Sequence, residues 1–356
     1  MPNSFSLDRA AGWLLHSGIQ DSSGGVARFY RSDLRRNNPV STEITGYQLS
    51  ALVYLHKVTG DAAYLDRAIE TGRFLTRIAW DSAARTFPFE YPETPKPAYF
   101  FDCGIVNRGL LSLWRTTRDR EFLDAAIMCG TSMMADFDAG EDFHPILQLP
   151  GKQPLEREAR WSRSFGCYQL KSALSWNDLA EIGGDATFRN AYERVLANAM
   201  ASHRDFLPSH ADEDPVMDRL HAYCYFLEGL LPCARKIPYF DAFAEGIQRV
   251  SHFLHKIAPS FARSDVYAQL LRLRLFEIVP LDLQMAEYEA EKLSEFQAED
   301  PALRDPRIAG GFYFGRKGPT MMPYVNPVST AFGLQALNMW RERRAGTLAP
   351  CRHDLI

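Results

Sequence analysis

Apolar residues recur at helical spacing in paired segments along almost the whole chain. The first segment runs from Thr45 to Thr59, and a second begins at Ala63, where apolar and charged residues again alternate with the period of an amphipathic helix. Similar pairs begin at Asp102 and Cys167. Weaker copies begin near His221, Tyr267 and Ser329. A repeat of about 55 to 65 residues with two helices in each copy predicts stacked helical hairpins.

The two ends of the chain each hold one helix without a partner. Leu7 to His16 is amphipathic and has no helix before it, and Ser329 to Arg341 has none after it. Because a hairpin buries its apolar face only against neighbours, we predict that these two helices pack together. With about six copies, the predicted fold is an all-α (α/α)6 toroid, a six-hairpin barrel. An open solenoid is the alternative.

Composition is that of a single helical domain covering residues 1–356. The chain is 46% hydrophobic and 24% charged, with no shift in composition that would mark a linker. A net charge of −4 disfavours nucleic acid as a partner. No apolar run approaches the roughly 20 residues of a membrane-spanning helix, and the start lacks the features of a secretory signal. We therefore expect a cytoplasmic protein without a transmembrane segment.

No cofactor or metal site is predicted. Ser22 to Gly25 forms neither a phosphate-binding loop nor a dinucleotide-binding turn. Cys103, His221 and Cys224 could imitate the zinc ligands of lanthionine cyclases, but the Cys-His-Gly run of that family is absent. The six cysteines are widely spread, which is typical of reduced, buried thiols rather than a disulfide framework.

Three long loops precede predicted helices and are rich in aromatic, glycine and charged residues. They are Asp21 to Tyr30, Thr86 to Pro95 and Gly310 to Gly318. Loops of this length usually carry function, and aromatic rings with carboxylates and arginines suit sugar rings and their hydroxyl groups. The sequence thus predicts a glycan or glycolipid substrate. The alternative is that the aromatic residues cap the barrel and the glycines only make turns.

Three segments carry a resemblance to a known family. Glu90 to Pro95 (Glu-Tyr-Pro-Glu-Thr-Pro) resembles the Glu-Tyr-Pro-Thr-Thr-Pro segment in the helical domain of the D-glucuronyl C5-epimerases. Ile257 to Tyr267 is similar to that family's Ala-Pro-Asn-Leu-Ala-Arg-Trp-Asp-Tyr-His run, and Asp218 to His221 resembles its Tyr-Asp-Leu-Arg-His. Val266 and Met217 stand where the family has tyrosines.

The resemblance implies an active site that acts on uronic acid. Removing the C5 proton of a hexuronate requires a base beside that carbon and a cation for the carboxylate, and inversion requires an acid on the opposite face. Tyr91 and Tyr267 are the candidates for the two faces. Glu90 would assist proton movement, and Arg263 or Arg316 would hold the carboxylate.

Further candidates for binding the substrate include Glu43, Asp102 and Asp265, which lie at or near the predicted entrances of inner helices. The others are Tyr47, His221, Tyr313 and Arg316. Structural alternatives stay open: Tyr267 belongs to the core, Arg263 pairs with Asp265, and Glu90 caps a helix.

The predicted function is action on a uronic-acid-containing glycan or glycolipid intermediate, with C5 epimerisation of D-glucuronate as the reaction. Two other functions fit the same sequence. A six-hairpin glycoside hydrolase would need a carboxyl group as acid, for which Asp102 or Glu90 could serve. A toroid that only binds glycan or protein would need no converging acid and base.

Overall fold

The computed structural model describes residues 5–92, 97–156, 158, 160–207, 213–298 and 305–356, with backbone alone for residue 213. Glu93, Thr94 and Pro95 of the epimerase-like segment therefore lie outside the described residues. The α-helices in the described part are α1 (Leu7–His16), α2 (Thr42–Thr59), α3 (Ala62–Phe74), α4 (Phe100–Thr117), α5 (Arg120–Asp136), α6 (Gln169–Gly183), α7 (Ala186–Phe206), α8 (Glu213–Leu230), α9 (Tyr239–Ile257), α10 (Ser264–Leu275), α11 (Leu283–Ser294) and α12 (Pro327–Ala345). A π turn, Leu75–Ala79, extends α3.

Short strands occupy the loops that lead into helices. They are β1 (Tyr30–Arg31), β2 (Arg36–Asn37), β3 (Val40–Ser41), β4 (Glu90–Tyr91), β5 (Pro97–Tyr99), β6 (Ile146–Gln148), β7 (Gln153–Pro154), β8 (Phe261–Arg263), β9 (Gly315–Lys317), β10 (Thr320–Met321) and β11 (Tyr324–Val325). They form small antiparallel sheets with the orders β11-β1-β2, β10-β9-β8, β3-β4 and β5-β6-β7. The long loops are therefore ordered by backbone hydrogen bonds.

Three hairpins are closed by the same local chemistry. The first helix ends at a residue in the left-handed backbone region, which satisfies its last carbonyl groups. The next residue is an aspartate whose carboxylate accepts a hydrogen bond from the backbone N–H two residues later, which caps the second helix. The pairs are Gly60–Asp61, Arg118–Asp119 and Gly184–Asp185. The predicted turns at these positions are confirmed.

The described residues divide into two compact units. The first unit comprises residues 21–26 and 39–206. Its inner helices α2, α4 and α6 pack side by side, and each has an outer partner, α3, α5 or α7. Glycines allow the inner helices to approach closely, because a Cβ atom at Gly104 would lie 2.4 Å from the Cβ of Ser172.

The second unit comprises the described parts of residues 1–20, 27–38 and 207–356. Here α8, α10 and α12 are the inner helices, and α9 and α11 pair with α8 and α10. Helix α1 packs on α12, so the predicted pairing of the two terminal helices is confirmed. Trp13 of α1 is 2% exposed and donates from Nε1 to the carbonyl of Arg307 at 2.9 Å.

Candidate active site

A buried ion pair stands at the start of α10 in the second unit. Strand β8 ends at Arg263, and α10 begins at the next residue, so Arg263 precedes the helix and Asp265 lies in its first turn. The guanidinium donates from Nε and Nη2 to the two carboxylate oxygens of Asp265 at 3.0 and 2.6 Å. It also donates from Nη1 to Asp218 of α8 at 2.5 Å. The sequence alternative that Arg263 pairs with Asp265 is confirmed, and both hydrogen bonds together fix the plane of the guanidinium.

His221 of α8 joins this ion pair. Its Nδ1 lies 2.7 Å from Oε1 of Gln269 and 3.4 Å from Oδ2 of Asp265. Both neighbours are acceptors, so Nδ1 carries the ring proton in the neutral imidazole. The edge of the ring also packs against Tyr225 at 4.5 Å between centroids. In the described part of the chain no hydrogen bond involves Nε2, which leaves this nitrogen for a ligand.

Burial and charge set the protonation of the cluster. Burial lowers the pKa of His221 to about 4; the nearby Asp265 acts in the opposite direction and Arg263 in the same one. Burial opposes ionisation of Asp265, but the Arg263 guanidinium holds the pKa of that carboxyl below its usual value. Burial likewise disfavours the charged form of Arg263, and Asp265 outweighs it, so the pKa of Arg263 is raised. At neutral pH Arg263 is therefore charged, Asp265 is ionised and the His221 imidazole is neutral.

The loop before α12 adjoins the same helix start. In the sheet, Arg316 lies opposite Ala262 and Gly315 lies opposite Arg263. The hydroxyl of Ser264 donates to the carbonyl of Tyr313 at 2.7 Å. The Arg316 guanidinium donates to Glu295 at 3.0 Å, so its charge is also partly balanced. The structure thus brings the backbone segments of Arg263, Tyr313 and Arg316 together.

Tyr267 lies on a different side of α10. It is 0% exposed, and its ring is 6.2 Å from that of Phe296. Among the described residues its hydroxyl makes no hydrogen bond of normal geometry, although the Tyr288 phenol lies beside it. Burial raises the pKa of the Tyr267 phenol. These properties are those of a core residue, which was the structural alternative for Tyr267.

In the first unit, Glu90 and Tyr91 lie beside the start of α2. Strand β4 pairs them with Ser41 and Val40, respectively. The Ser41 hydroxyl accepts from the backbone N–H of Ile44, so Ser41 caps α2. Tyr91 is partly exposed, and its ring meets the ring of Phe74 edge-on at 5.7 Å.

The remaining candidates of the first unit lie in the first two turns of inner helices. Glu43 is partly exposed, whereas Tyr47 is 1% and Asp102 is 4% exposed. Tyr99, just before α4, has a raised pKa because it is buried; Arg163 lowers it, and Asp102 raises it further. Asp102 and Tyr99 are therefore buried neighbours, and the partly exposed Arg163 lies beside Tyr99.

Sequence reasoning missed Gln269 and Phe314. Gln269 orients His221, and the Phe314 ring lies 4.6 Å from the Arg263 guanidinium. A signal for Gln269 existed, because it follows Asp265 by four residues and so shares its helical face. Phe314 stands in the aromatic Gly310 to Gly318 loop, but its sequence position does not say which charged group it would meet.

Solved structures resemble the chain over nearly its full length. Cellobiose 2-epimerase from Spirochaeta thermophila is 15% identical, with a TM-score of 0.68, and the match covers 94% of this chain and 97% of that chain. D-mannose isomerase is 8% identical, with a TM-score of 0.70 and coverage of 95% and 96%. Unsaturated glucuronyl hydrolase from Bacillus sp. GL1 is 15% identical, with a TM-score of 0.63 and coverage of 96% and 98%. No protein-family model and no curated protein matches the sequence.

At these identities the likeness defines the fold. The chain has the all-α (α/α)6 toroid fold of these structures, as the helical repeat predicted. Membership of the D-glucuronyl C5-epimerase family stays a prediction from short segments. Among the helices of the described residues, none is both long and apolar enough to cross a membrane.

Proposed function

We propose that the protein is a carbohydrate isomerase or epimerase in which His221 moves a proton on a sugar carbon. The observation that carries this proposal is the neutral imidazole of His221, whose Nδ1 faces Gln269 and Asp265. The unprotonated Nε2 is then a base at neutral pH, held in one orientation. Similar folds in a cellobiose 2-epimerase and a D-mannose isomerase support a reaction of this class.

The chemistry requires a carbon acid. A proton beside a carbonyl or carboxylate carbon is removed by the base, and the electron pair moves onto the oxygen of that group to give an enolate-like intermediate. Return of a proton to the other face of the same carbon gives an epimer. In an aldose or ketose, return of the proton to the former carbonyl carbon, with transfer of the adjacent hydroxyl proton to the enolate oxygen, gives the isomer. His221 is assigned the first transfer, and the Arg263 guanidinium, paired with Asp265, supplies the fixed positive charge of the cluster.

Neither Asp265 nor Glu289 of the second unit is suited to be the acid of a glycoside hydrolase. A glycoside hydrolase needs a carboxyl group that is protonated when the substrate binds. The pKa of Asp265 is held low by Arg263, so Asp265 is a poor acid. Burial raises the pKa of Glu289 to about 7, with Arg274 acting in the opposite direction, but Glu289 is 0% exposed and bound to Arg274, where no substrate reaches it.

The substrate is proposed to be a sugar with a neutral reacting unit. Arg263 is already paired with two carboxylates, Asp265 and Asp218, so the described residues of the cluster include no unbalanced cation for a uronate carboxylate. The glucuronate substrate inferred from the family resemblance remains a separate prediction, in which Arg316 or another cation would hold the carboxylate. Both substrate types therefore belong in the test.

Incubation in heavy water with neutral and glucuronate-containing sugars tests the proposal. The expected result is deuterium at the carbon beside the carbonyl or carboxylate group, with every glycosidic bond intact. New reducing ends without deuterium would overturn the proposal and favour a hydrolase. The similar fold of the unsaturated glucuronyl hydrolase would support that alternative. Binding of sugars with neither change would favour a glycan-binding protein.

A further inference from the structure

Three partly exposed aromatic rings form a continuous row in the second unit. We call Phe314, Tyr324 and Phe29 the aromatic strip. The rings of Phe314 and Tyr324 are 6.5 Å apart, and those of Tyr324 and Phe29 are 5.1 Å apart. Guanidinium groups accompany the row: Arg263 lies 4.6 Å from the Phe314 ring, and Arg31 lies 5.1 Å from the Tyr324 ring. The strip therefore begins at the arginine of the candidate active site.

Backbone hydrogen bonds fix the strip to that site. The N–H of Ser264, the first residue of α10, donates to the carbonyl of Phe314 at 3.0 Å. The N–H of Phe314 donates to the carbonyl of Tyr324 at 2.8 Å. Tyr324 is in turn the cross-strand partner of Arg31, two residues after Phe29. Each ring is thus one hydrogen-bonded strand farther from the start of α10, and the strip is a rigid extension of the site.

Charge along the strip is balanced at the two arginines nearest the site. Arg31 donates to both carboxylate oxygens of Asp33 at 2.8 and 2.6 Å, and Arg263 is paired with Asp265 and Asp218. Because the charges of these arginines are balanced, the strip does not favour binding of a polyanion such as a nucleic acid. It matches a neutral sugar, which has apolar C–H faces and a rim of hydroxyl groups.

We propose that the aromatic strip binds the second sugar unit of an oligosaccharide whose reacting unit lies at His221. This inference rests on the proposed function and deepens it, because it makes the preferred substrate an oligosaccharide rather than a monosaccharide. Tyr324 is the central ring, since it contacts both other rings of the strip. At the far end, Arg28 lies 5.9 Å from the Phe29 ring and can donate to sugar hydroxyls.

The test compares glucose, cellobiose and cellotriose as substrates of the whole protein. The quantity measured is the ratio of kcat/KM for cellobiose to that for glucose, from the rate of deuterium incorporation. We expect Tyr324→Ala to lower this ratio roughly tenfold, because an aromatic contact to the second unit is lost. Phe253→Ala is the control: Phe253 is also partly exposed, but it lies on the outer helix α9, so the ratio should not change.

Affinity gives a second measurement that does not depend on catalysis. Cellobiose and glucose are titrated calorimetrically into the His221→Gln variant and into the double variant that also carries Tyr324→Ala. If circular dichroism shows that the double variant is misfolded, Phe29→Ala takes the place of Tyr324→Ala. If the strip variant binds cellobiose more weakly but the wild type shows no proton exchange, the role of the strip in binding stands and only the proposed function is overturned. Equal preference for glucose and cellobiose in the wild type, or an unchanged ratio in both strip variants, would overturn the strip alone.

Discussion

His221 Nδ1 and Gln269 Oε1 are 2.7 Å apart, across the interface between the inner helices α8 and α10. This hydrogen bond joins residues that are 48 positions apart in the chain. It determines which ring nitrogen keeps its lone pair, because the proton must lie on Nδ1 between two acceptors. The stability and the proposed chemistry of the second unit therefore depend on the same imidazole.

His221 should make the protein less stable in acid. Burial lowers the pKa of its folded form to about 4, whereas an unfolded histidine titrates near roughly 6.5. Between these values the unfolded chain binds more protons, so the free energy of unfolding falls as the pH decreases, by up to about 3 kcal/mol. Urea denaturation at about pH 7 and about pH 4.5 should show a smaller decrease in His221→Gln than in the wild type.

Glu289 changes the pH dependence of the free energy of unfolding in the opposite direction. The His221→Gln variant is therefore needed to separate the two contributions. Its pKa is raised by burial to about 7, so its contribution to stability is present in acid and is lost as the pH rises towards that value. The wild-type curve contains both contributions, and the difference between wild type and His221→Gln isolates the histidine. Parallel curves for the two proteins would show that His221 is not held neutral.

Two glycines of the first unit provide a matched test of inner-helix packing. In Gly104→Ala the new methyl group would lie 2.4 Å from the Cβ and 2.5 Å from the Cα of Ser172, so two helices must move apart. We expect a loss of about 3 kcal/mol in the free energy of unfolding. Gly183→Ala, at the end of α6, meets no atom within 4 Å and should be neutral or stabilising by up to about 1 kcal/mol. Similar effects from both substitutions would contradict the close approach of α4 and α6.

Removing the first twenty residues should destabilise the second unit strongly. The deletion takes away α1, which buries Ala10, Trp13 and Leu14 against its surroundings, and leaves α12 without its partner. Loss of the cooperative thermal transition is the expected result, because each hairpin buries its apolar face only against neighbours. Deleting residues 1–4 is the control and should preserve the transition. A native-like transition in the longer deletion would show that the terminal hairpin is dispensable.

The hairpins could be predicted from the sequence because their determinants are local. Helical periodicity and turns such as Gly60–Asp61 act over a few residues, and the Arg263–Asp265 pair spans only two. The contact between His221 and Gln269 depends on the rotation of two helices about their axes. Apolar periodicity restricts that rotation to a face but does not fix it.

The position of Tyr267 was available in the sequence but was outweighed by the family resemblance. Tyr267 follows Asp265 by two residues, which places the two side chains about 200° apart around a helix. If Asp265 faces the site in its ion pair with Arg263, Tyr267 is therefore predicted to face away from the site. The reaction itself could not be predicted from the fold, since similar toroids occur in epimerases, an isomerase and glucuronyl hydrolases.

Replacing Tyr267 or Tyr91 by phenylalanine, one at a time, distinguishes a mechanism with His221 as the base from one with a tyrosine as the base. If His221 is the base, Tyr267→Phe should retain proton exchange within about threefold and should be neutral or slightly stabilising, because its buried hydroxyl makes no hydrogen bond of normal geometry among the described residues. Tyr91→Phe should also retain exchange. A loss of roughly a hundredfold or more in either variant, with normal circular dichroism, would support the tyrosine mechanism implied by the epimerase resemblance.

The most direct test of the central claim is the rate of carbon-bound deuterium incorporation in His221→Gln. With a sugar that the wild type exchanges at about pH 7, nuclear magnetic resonance should show at least a roughly hundredfold slower incorporation in the folded variant. The wild-type rate should stay constant from neutral pH down to about pH 5 and decrease as the pH approaches the value of about 4 at which His221 is protonated. Undiminished exchange in folded His221→Gln would contradict the assignment of His221 as the base.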